Sequence, residues 1–442
     1  MTAGTSIKLV SVLALVCLVG CGEKTAGQGA DAGTDDGDAG AKVEPDYARL
    51  FPTERVLEID LAITDADWST LMADPLEDIY VPATLTFDGI VLDVGVRLKG
   101  NSSRSSVARE GGVRYSFKVD IDRYVDGQEL LGIDKLNLNN SFRDPTYMRE
   151  RLALDLFRKR GVPASRHGFA DVSINGELFG FYAVIEQVGK EFLSANFDDN
   201  DGNLYKPELQ SGSLVWRGDS ISDYPDLELK TNEDNPDHTR IIEFLDVLNN
   251  TSDEQFAAAI AGIFDVDTFL RWLAANTAMV VLDSYVGSPH NYYLYDDPST
   301  GKFVYVPWDT NGAYGVHACG GPTSLSALQM IELPHAAPVC GAMASRPLVD
   351  RILGVADYYA AYRGYVVDLL ATDWTVAGVG SAVDSWATLI RSHVAADPNA
   401  FYSATQFETN LSDDIVDGNK LIFGLKGFTE LRMQFMQSEL AD

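Results

Sequence analysis

The chain has 442 residues, 46% of them hydrophobic and 22% charged, a composition that excludes disorder throughout, collagen and coiled coil and leaves room for a large buried core. With 34 Lys and Arg against 65 Asp and Glu, the formal charge of −31 repels phosphate backbones, so nucleic acid is not an expected partner. A local site can still oppose that field for a small phosphate-bearing ligand, and the acidity suits a bound cation or a basic protein partner.

The N-terminus reads as a targeting segment. Lys8 is the only charge in the first twenty residues, and the apolar run from Leu9 to Gly20 is well short of the roughly 20 residues that span a bilayer. It ends in Leu18-Val19-Gly20-Cys21, which resembles a bacterial lipobox and implies cleavage before Cys21 and lipidation of its thiol. Residues 1–20 are therefore expected to be a lipoprotein signal peptide. Residues 21–49 are expected to form the lipidated Cys and a flexible, Gly-, Ala- and Asp-rich tether, too polar to offset its ordering entropy. That places the protein outside the cytoplasm, lipid-anchored to the cell envelope. Cys17 leaves with the signal, so Cys319 and Cys340 remain as an even pair in an oxidising compartment, expected as a disulfide. The competing reading is a metal site that adds His317 and His335.

From Arg55 to about Lys118 the pattern is short and β-like. Val56–Leu61 alternates, Ala83–Phe87 runs into the hairpin signal Asp88-Gly89, and Val91–Leu98 follows, closed by a polar turn at Gly100–Arg104. Tyr115–Asp120 alternates again, with Phe117 and Val119 on one side and Ser116 and Lys118 on the other. After a short strand at Lys135–Asn140, Asp144-Pro145 predicts a capped helix start, and Met148, Leu152, Leu156 and Phe157 keep helical spacing until Gly161 and Pro163. A second hairpin turns at Asn175-Gly176, between Phe169–Ile174 and Phe179–Ile185.

Beyond Glu186 helices are expected to dominate: one capped by Asp237, a buried one from Val266 to about Leu282, then Leu348–Ala371, Ala377–Ala395 and a last stretch from Lys420. The fold class is α+β, with a small strand-rich lobe over residues 50–188, a larger, mainly helical lobe over 189–442, and a ligand cleft between them.

The chemistry concentrates between the buried helix and residue 315. Asp283 follows that helix, Asn291 follows a loop, and the hairpin Tyr292–Val306 returns the chain to Pro307-Trp308-Asp309. Phosphoryl transfer needs one Asp to orient or deprotonate a hydroxyl, and an Asn and a second Asp to hold the cation that bridges the phosphates. Asp283 is thus the candidate base, and Asn291 and Asp309 are candidate metal ligands. His290 is a further candidate, as ligand or base, against a structural role bonded to carbonyls.

The runs Arg97-Leu-Lys-Gly-Asn-Ser-Ser103, Lys135-Leu-Asn-Leu-Asn139, Met148-Arg-Glu-Arg151, Gly202-Asn-Leu-Tyr-Lys206, His290-Asn-Tyr-Tyr-Leu-Tyr295 and Pro307-Trp-Asp309 resemble, in order, the CotH (spore coat protein H) kinase family. The resemblance covers roughly residues 55–315. It implies an atypical protein-kinase-like fold that uses ATP and Mg²⁺ or Mn²⁺ to phosphorylate Ser or Thr of extracytoplasmic protein partners. Carried onto this chain, it puts Asp283 at the catalytic base, Asn291 and Asp309 at the metal, and Lys118 where a lysine pairs with phosphates, with Arg97 and Lys99 as rivals. Glu186-Gln187-Val188 opens the connector whose backbone would meet adenine. One departure stands out. The family pattern Pro-Trp-Asp-x-Asp ends here in Asn311, which keeps a neutral oxygen for a metal but loses a charge. That admits a weak or inactive kinase-fold scaffold, and phosphotransfer to a non-protein acceptor is a third reading.

Overall fold

Alternating apolar and polar residues drive the first half of the chain into strands, because each alternation gives one face to a core and one to water. The computed structural model describes residues 44–441 apart from residue 209. The expected leader, Cys21 and most of the acidic tether lie outside the described residues.

The short helix α1 (Tyr47–Leu50) leads to β1 (Leu57–Ala62). Helix α2 (Asp65–Ala73), capped by the Thr64 side chain, precedes β2 (Val81–Phe87) and β3 (Ile90–Lys99). Then come α3 (Ser102–Glu110), β4 (Ser116–Asp120), β5 (Lys135–Asn139), α4 (Arg149–Lys159), β6 (His167–Ile174) and β7 (Glu177–Glu186). The strands close into a seven-stranded barrel in the order β1-β2-β3-β4-β5-β7-β6. Its last seam is the parallel pairing of β1 with β6, Leu57 opposite Ala170 through Leu61 opposite Ile174. Ile59, Leu85, Val96, Phe117, Leu136, Val172 and Val184 fill its interior. Each such side chain contributes about 1.5–3 kcal/mol by leaving water.

Helix α5 (Lys190–Asn196) and strands β8 (Leu204–Pro207) and β9 (Leu227–Leu229) follow. Helices α6 (Thr239–Asn250), α7 (Asp253–Ile263) and α8 (Val266–Met279) then precede the hairpin β10 (Tyr292–Asp297) and β11 (Lys302–Pro307). The second sheet runs β11-β10-β8-β9. Helix α8 is buried almost all round; Phe269, Trp272 and Leu273 are fully covered, and Trp272→Ala would cost about 3–5 kcal/mol. The rest is α9 (Ala327–Ile331), α10 (Pro347–Leu353), α11 (Ala356–Ala371), α12 (Val376–Ala396), α13 (Ala404–Asn410), a small hairpin β12 (Ile415–Asp417) and β13 (Lys420–Ile422), and α14 (Leu425–Ala441). The described residues belong to one compact unit, Val43–Asp442.

Local differences from the sequence reading have local causes. The polar stretch after Gly100 is a helix, α3, ended by the left-handed Gly111. Asp144 does not open its helix at Pro145. Its Oδ1 accepts from Thr146 N at 2.9 Å and its Oδ2 from Arg149 N at 2.9 Å, so it shapes a turn and delays the helix to Arg149. The expected helix from Leu348 breaks at Gly354 into α10 and α11, and Lys420 lies on a strand. Cys319 and Cys340 are joined by a disulfide, which excludes their use as metal ligands.

Candidate active site

Alternation along β3, β4 and β5 sends Val96, Leu98, Phe117, Val119, Leu136 and Leu138 into the barrel, so the residues between them line its outer face. Register sets Arg97 opposite Lys118, Lys118 opposite Asn137, and Lys99 opposite Ser116. All three basic candidates therefore share one face, but their surroundings differ. Arg97 is engaged elsewhere: its Nη1 lies 3.1 Å from Asp78 Oδ1, and its guanidinium lies 5.5 Å from the Tyr80 ring centroid. Lys118 has no carboxylate within ion-pair distance among the described residues; burial, then Arg97, Lys135 and Lys99, push its amine down to about 8. Lys99 Nζ bonds Asn139 Oδ1 at 2.8 Å and sits 5.6 Å from the Trp308 ring centroid. Burial lowers it to about 8 against the pull of Asp309 and Glu150.

Glu150 enters from α4. Arg149 beside it is fully buried and anchors the helix start, donating to Asn410 Oδ1 at 2.8 Å and to the Phe423 carbonyl. Glu150 is 5% exposed, and its Oε2 accepts from Asn139 Nδ2 at 3.3 Å. Burial, then the charge of Asp309, raises its carboxyl to about 8. Glu150 stands within the quoted run Met148–Arg151, yet nothing in the spacing singled it out.

Below these groups, α8 ends at Val280 in the left-handed conformation, and Val281 and Leu282 stay fully buried. Asp283 is thereby carried into a tight turn rather than directly off the helix. Its backbone oxygen accepts from Asn291 Nδ2 at 2.9 Å. Its Oδ1 lies 2.7 Å from His290 Nε2 and 3.6 Å from His317 Nε2. Burial works to raise the Asp283 carboxyl, but the His290 hydrogen bond and the charges of His317, His290 and Arg143 outweigh it and hold it low. On the far side of His290, Nδ1 is 3.7 Å from Glu208 Oε2, and Glu208 Oε1 is 2.7 Å from Lys206 Nζ. Burial opposes protonation of His290, yet two flanking carboxylates bring it up to about 10.

The β10–β11 hairpin joins the two remaining candidates. Asn291 precedes β10 and Asp309 follows β11, and Trp308 N bonds Asn291 O at 3.0 Å across its base. Both residues take left-handed backbone conformations, φ 60° and 49°, which Asn and Asp tolerate better than most side chains and which recur at functional sites. Two glycines let neighbouring chain pass: a Cβ on Gly287 would meet Leu282 O at 2.0 Å, and one on Gly212 would meet Pro289 O at 1.6 Å.

Burial, eased by Lys99 and worsened by Asp283, raises the Asp309 carboxyl. The Lys99 charge thus opposes burial at both Glu150 and Asp309. Asp309 makes no side-chain hydrogen bond and Asn291 Oδ1 has no donor among the described residues, so both have oxygen lone pairs free. Hard oxygen donors short of positive charge fit Mg²⁺ or Mn²⁺, which take few protein ligands beside phosphates. No group of three or more His, Cys, Asp or Glu disposed to hold a metal occurs among the described residues.

The structure therefore brings together Asp283, Asn291, Asp309 and Lys99, and adds Glu150, Lys206, Glu208 and His317. Asn311 lies in the short 3-10 turn after Asp309, with no side-chain hydrogen bond among the described residues. Glu186 is apart: its Oε1 is 2.6 Å from Arg166 Nη1 and its Oε2 accepts from Arg166 N at 2.8 Å. The Val188 side chain is buried with Phe192, Leu204 and Tyr293. Signals for Lys206 and Glu150 existed only as members of the quoted motifs.

Residues 96–433 match the family model described as CotH kinase protein. Inner spore coat protein H of Bacillus subtilis (strain 168) is 24% identical over 352 residues, covering 76% of this chain and 88% of that protein. Invasin CotH3 of Rhizopus delemar is 23% identical over 255 residues, covering 54% of this chain and 41% of the invasin. Among solved structures, the Helicobacter pylori proinflammatory kinase CtkA aligns over 83% of this chain and 95% of its own at 8% identity, with a TM-score of 0.27, too low to bear on fold or chemistry.

Proposed function

The chain belongs to the CotH kinase family, and on that premise we propose that it is an ATP- and divalent-metal-dependent kinase that phosphorylates Ser or Thr of extracytoplasmic protein partners. The observation that carries this reading is geometric: Asn139 bonds both Lys99 and Glu150, the Lys99 amine lies 5.6 Å from the ring centroid of Trp308, the residue before Asp309, and Asn291 at the same hairpin base bonds the Asp283 carbonyl. The barrel with its connector at Glu186–Val188 would act as the small lobe over residues 50–188, and residues 189–442 as the large lobe, with nucleotide between. The connector's backbone, not the Glu186 carboxylate, would meet adenine, since Arg166 occupies that carboxylate.

In the proposed reaction the acceptor hydroxyl oxygen bonds the γ-phosphorus as the bond to the β,γ-bridging oxygen breaks, and ADP leaves. The hydroxyl proton passes to Asp283. Lys99, held by Asn139, orients the phosphates. Asp309 and Asn291, with Asn311 as a third candidate, would hold Mg²⁺ or Mn²⁺, which when bound supplies charge to offset the phosphate oxygens. The invasin and spore coat names of its relatives support a surface or extracellular setting. Residues 18–21 support anchoring through lipidated Cys21, and the acidic composition supports a basic or Ser/Thr-rich acceptor.

The test is phosphate transfer from ATP, with Mg²⁺ or Mn²⁺, to the protein itself and to a Ser/Thr-rich protein, beside nucleotide binding with and without the metal. Metal-dependent transfer that Asp309→Ala abolishes, by at least about 10³-fold, supports the kinase. Nucleotide binding with no transfer under any metal supports the second reading, an inactive surface scaffold, which the missing charge at Asn311 favours. Mass spectrometry of the product separates protein from glycan acceptors.

A further inference from the structure

We propose that His290 and Glu208 are positioning residues: through a hydrogen bond from His290 to Asp283, backed by the facing Glu208 carboxylate, they fix Asp283 so that its Oδ2 alone faces the acceptor hydroxyl. This rests on the reading of Asp283 as the hydroxyl's partner, and it assigns work to two residues outside the nucleotide and metal contacts.

Among the described residues, every polar contact of the Asp283 side chain falls on one oxygen. His290 Nε2 at 2.7 Å and His317 Nε2 at 3.6 Å both meet Oδ1. Oδ2 has no donor among the described residues, and 24% of the side chain stays exposed. A carboxylate so held cannot rotate about its last bond without losing the His290 contact, and the free oxygen keeps one direction. His290 is itself directed. Glu208 Oε2 stands 3.7 Å from its Nδ1, so one ring nitrogen faces Glu208 and the other Asp283. Glu208 in turn is tied to Lys206 by its other oxygen at 2.7 Å, and its backbone N donates to Asp226 O at 2.8 Å. His317 is fixed separately, 2.9 Å from Ser288 Oγ.

The main chain supports the same arrangement. Asn291 Nδ2 clamps the Asp283 carbonyl, and Gly212, four residues past Glu208, lies directly against the Pro289 carbonyl, where no Cβ fits. The segment carrying Glu208 and the loop carrying His290 are therefore packed as one piece. Orientation of this kind acts on the chemical step, since a displacement of about 1 Å in a reacting group can cost 10²-fold.

The experiment compares steady-state kinetics of the purified protein with those of His290→Leu, His290→Gln and Glu208→Ala. In parallel, NMR observes the imidazole N–H protons of the wild type and of Asp283→Ala. His290→Leu is expected to lower kcat by about 10- to 100-fold with KM for ATP within about twofold. His290→Gln, whose amide can still donate to Oδ1, is expected to recover about tenfold of that loss, and Glu208→Ala to lie between. A slowly exchanging His290 Nε2–H resonance should be present in the wild type and absent in Asp283→Ala. Unchanged kcat in His290→Leu, or an equal loss in His290→Gln and His290→Leu, overturns the proposal while the kinase reading stands. If the wild type transfers no phosphate but shows the resonance, the kinase reading fails and the contact stands. If His290→Leu does not fold, the Gln and Glu208→Ala variants and the resonance decide.

Discussion

Strand β5 has a buried glutamate near each end, and the two are treated in opposite ways. At the connector end Glu186, paired in register with Leu136, has both oxygens occupied by Arg166, through the guanidinium and the backbone N–H. At the other end Glu150 has one amide contact from Asn139, the partial pull of Lys99, and the opposing charge of Asp309. Both are nearly inaccessible to water, 3% and 5% exposed. A buried charge with a full set of partners is architecture; one left short of partners keeps a cost that a bound cation or phosphate group can relieve. On the proposed reading, the difference puts the chemistry at the Asn139 end of the strand face, away from Glu186.

The most forceful way to break this comparison is through the lysines. Lys99 belongs to the Glu150–Asp309 end, whereas Lys118 lies one register step toward Glu186, opposite Asn137, whose amide donates to Gln187 Oε1 at 3.2 Å. Lys99→Met should lower kcat/KM for ATP by about 10²- to 10³-fold, the range seen when one preorganised charge contact is removed. Lys118→Met should lower it by less than about tenfold. The reverse order would move the phosphates along the strand and undo the assignment of Lys99.

Stability measurements sharpen the same contrast. Glu186→Ala leaves Arg166 without its carboxylate and should cost about 3–5 kcal/mol in urea unfolding. Glu150→Gln should act in the opposite sense. Its carboxyl is raised to about 8 in the folded chain, so ionisation there costs stability as pH rises from about 4.5 through 8. The variant's gain should be absent below pH 4, grow across that window, level off above it, and reach on the order of 1–3 kcal/mol. A loss of stability in Glu150→Gln at pH 8 would mean that Lys99 satisfies Glu150 as fully as Arg166 satisfies Glu186.

Much of this contrast was hidden in the sequence for physical reasons. Strand alternation at Leu57–Leu61 and the Asn175-Gly176 turn are local signals, and both appear in the fold where the pattern put them. Closure of the barrel is not local. It needs β1 beside β6, more than a hundred residues away, and no period-2 pattern encodes a partner. Likewise Asp283, Asn291 and Asp309 stand close along the chain and were legible as a set, whereas Glu150 joins them only through the turn at Asp144 that sets where α4 begins. Lys99 and Lys118 could not be told apart beforehand, because strand alternation sends both to the same outer face and only the neighbouring helix distinguishes them. The left-handed Asn291 and Asp309 carry no sequence mark beyond residue types that tolerate the conformation.

The smallest effect tests whether an unsatisfied buried group outside the site behaves differently from one within it. His167, the first residue of β6 and next to Arg166, is 3% exposed, and neither ring nitrogen has a hydrogen-bond partner among the described residues. Burial, then the nearby Arg151 charge, depresses its imidazole well below 6.5. A depressed basic group binds its proton in the unfolded chain first. Its contribution is therefore fully present above about pH 6.5 and is lost as pH falls below that, by at most about 1.4 kcal/mol per pH unit. His167→Leu should flatten the urea-midpoint profile between pH 6.5 and 5 relative to the wild type, with kcat unchanged at pH 7.5. Parallel profiles for the two proteins would show that His167 finds a partner in solution. A fall in kcat would instead mean that the β6 side of the barrel, and with it the Glu186–Arg166 pair, is coupled to the chemistry from which the comparison separates it.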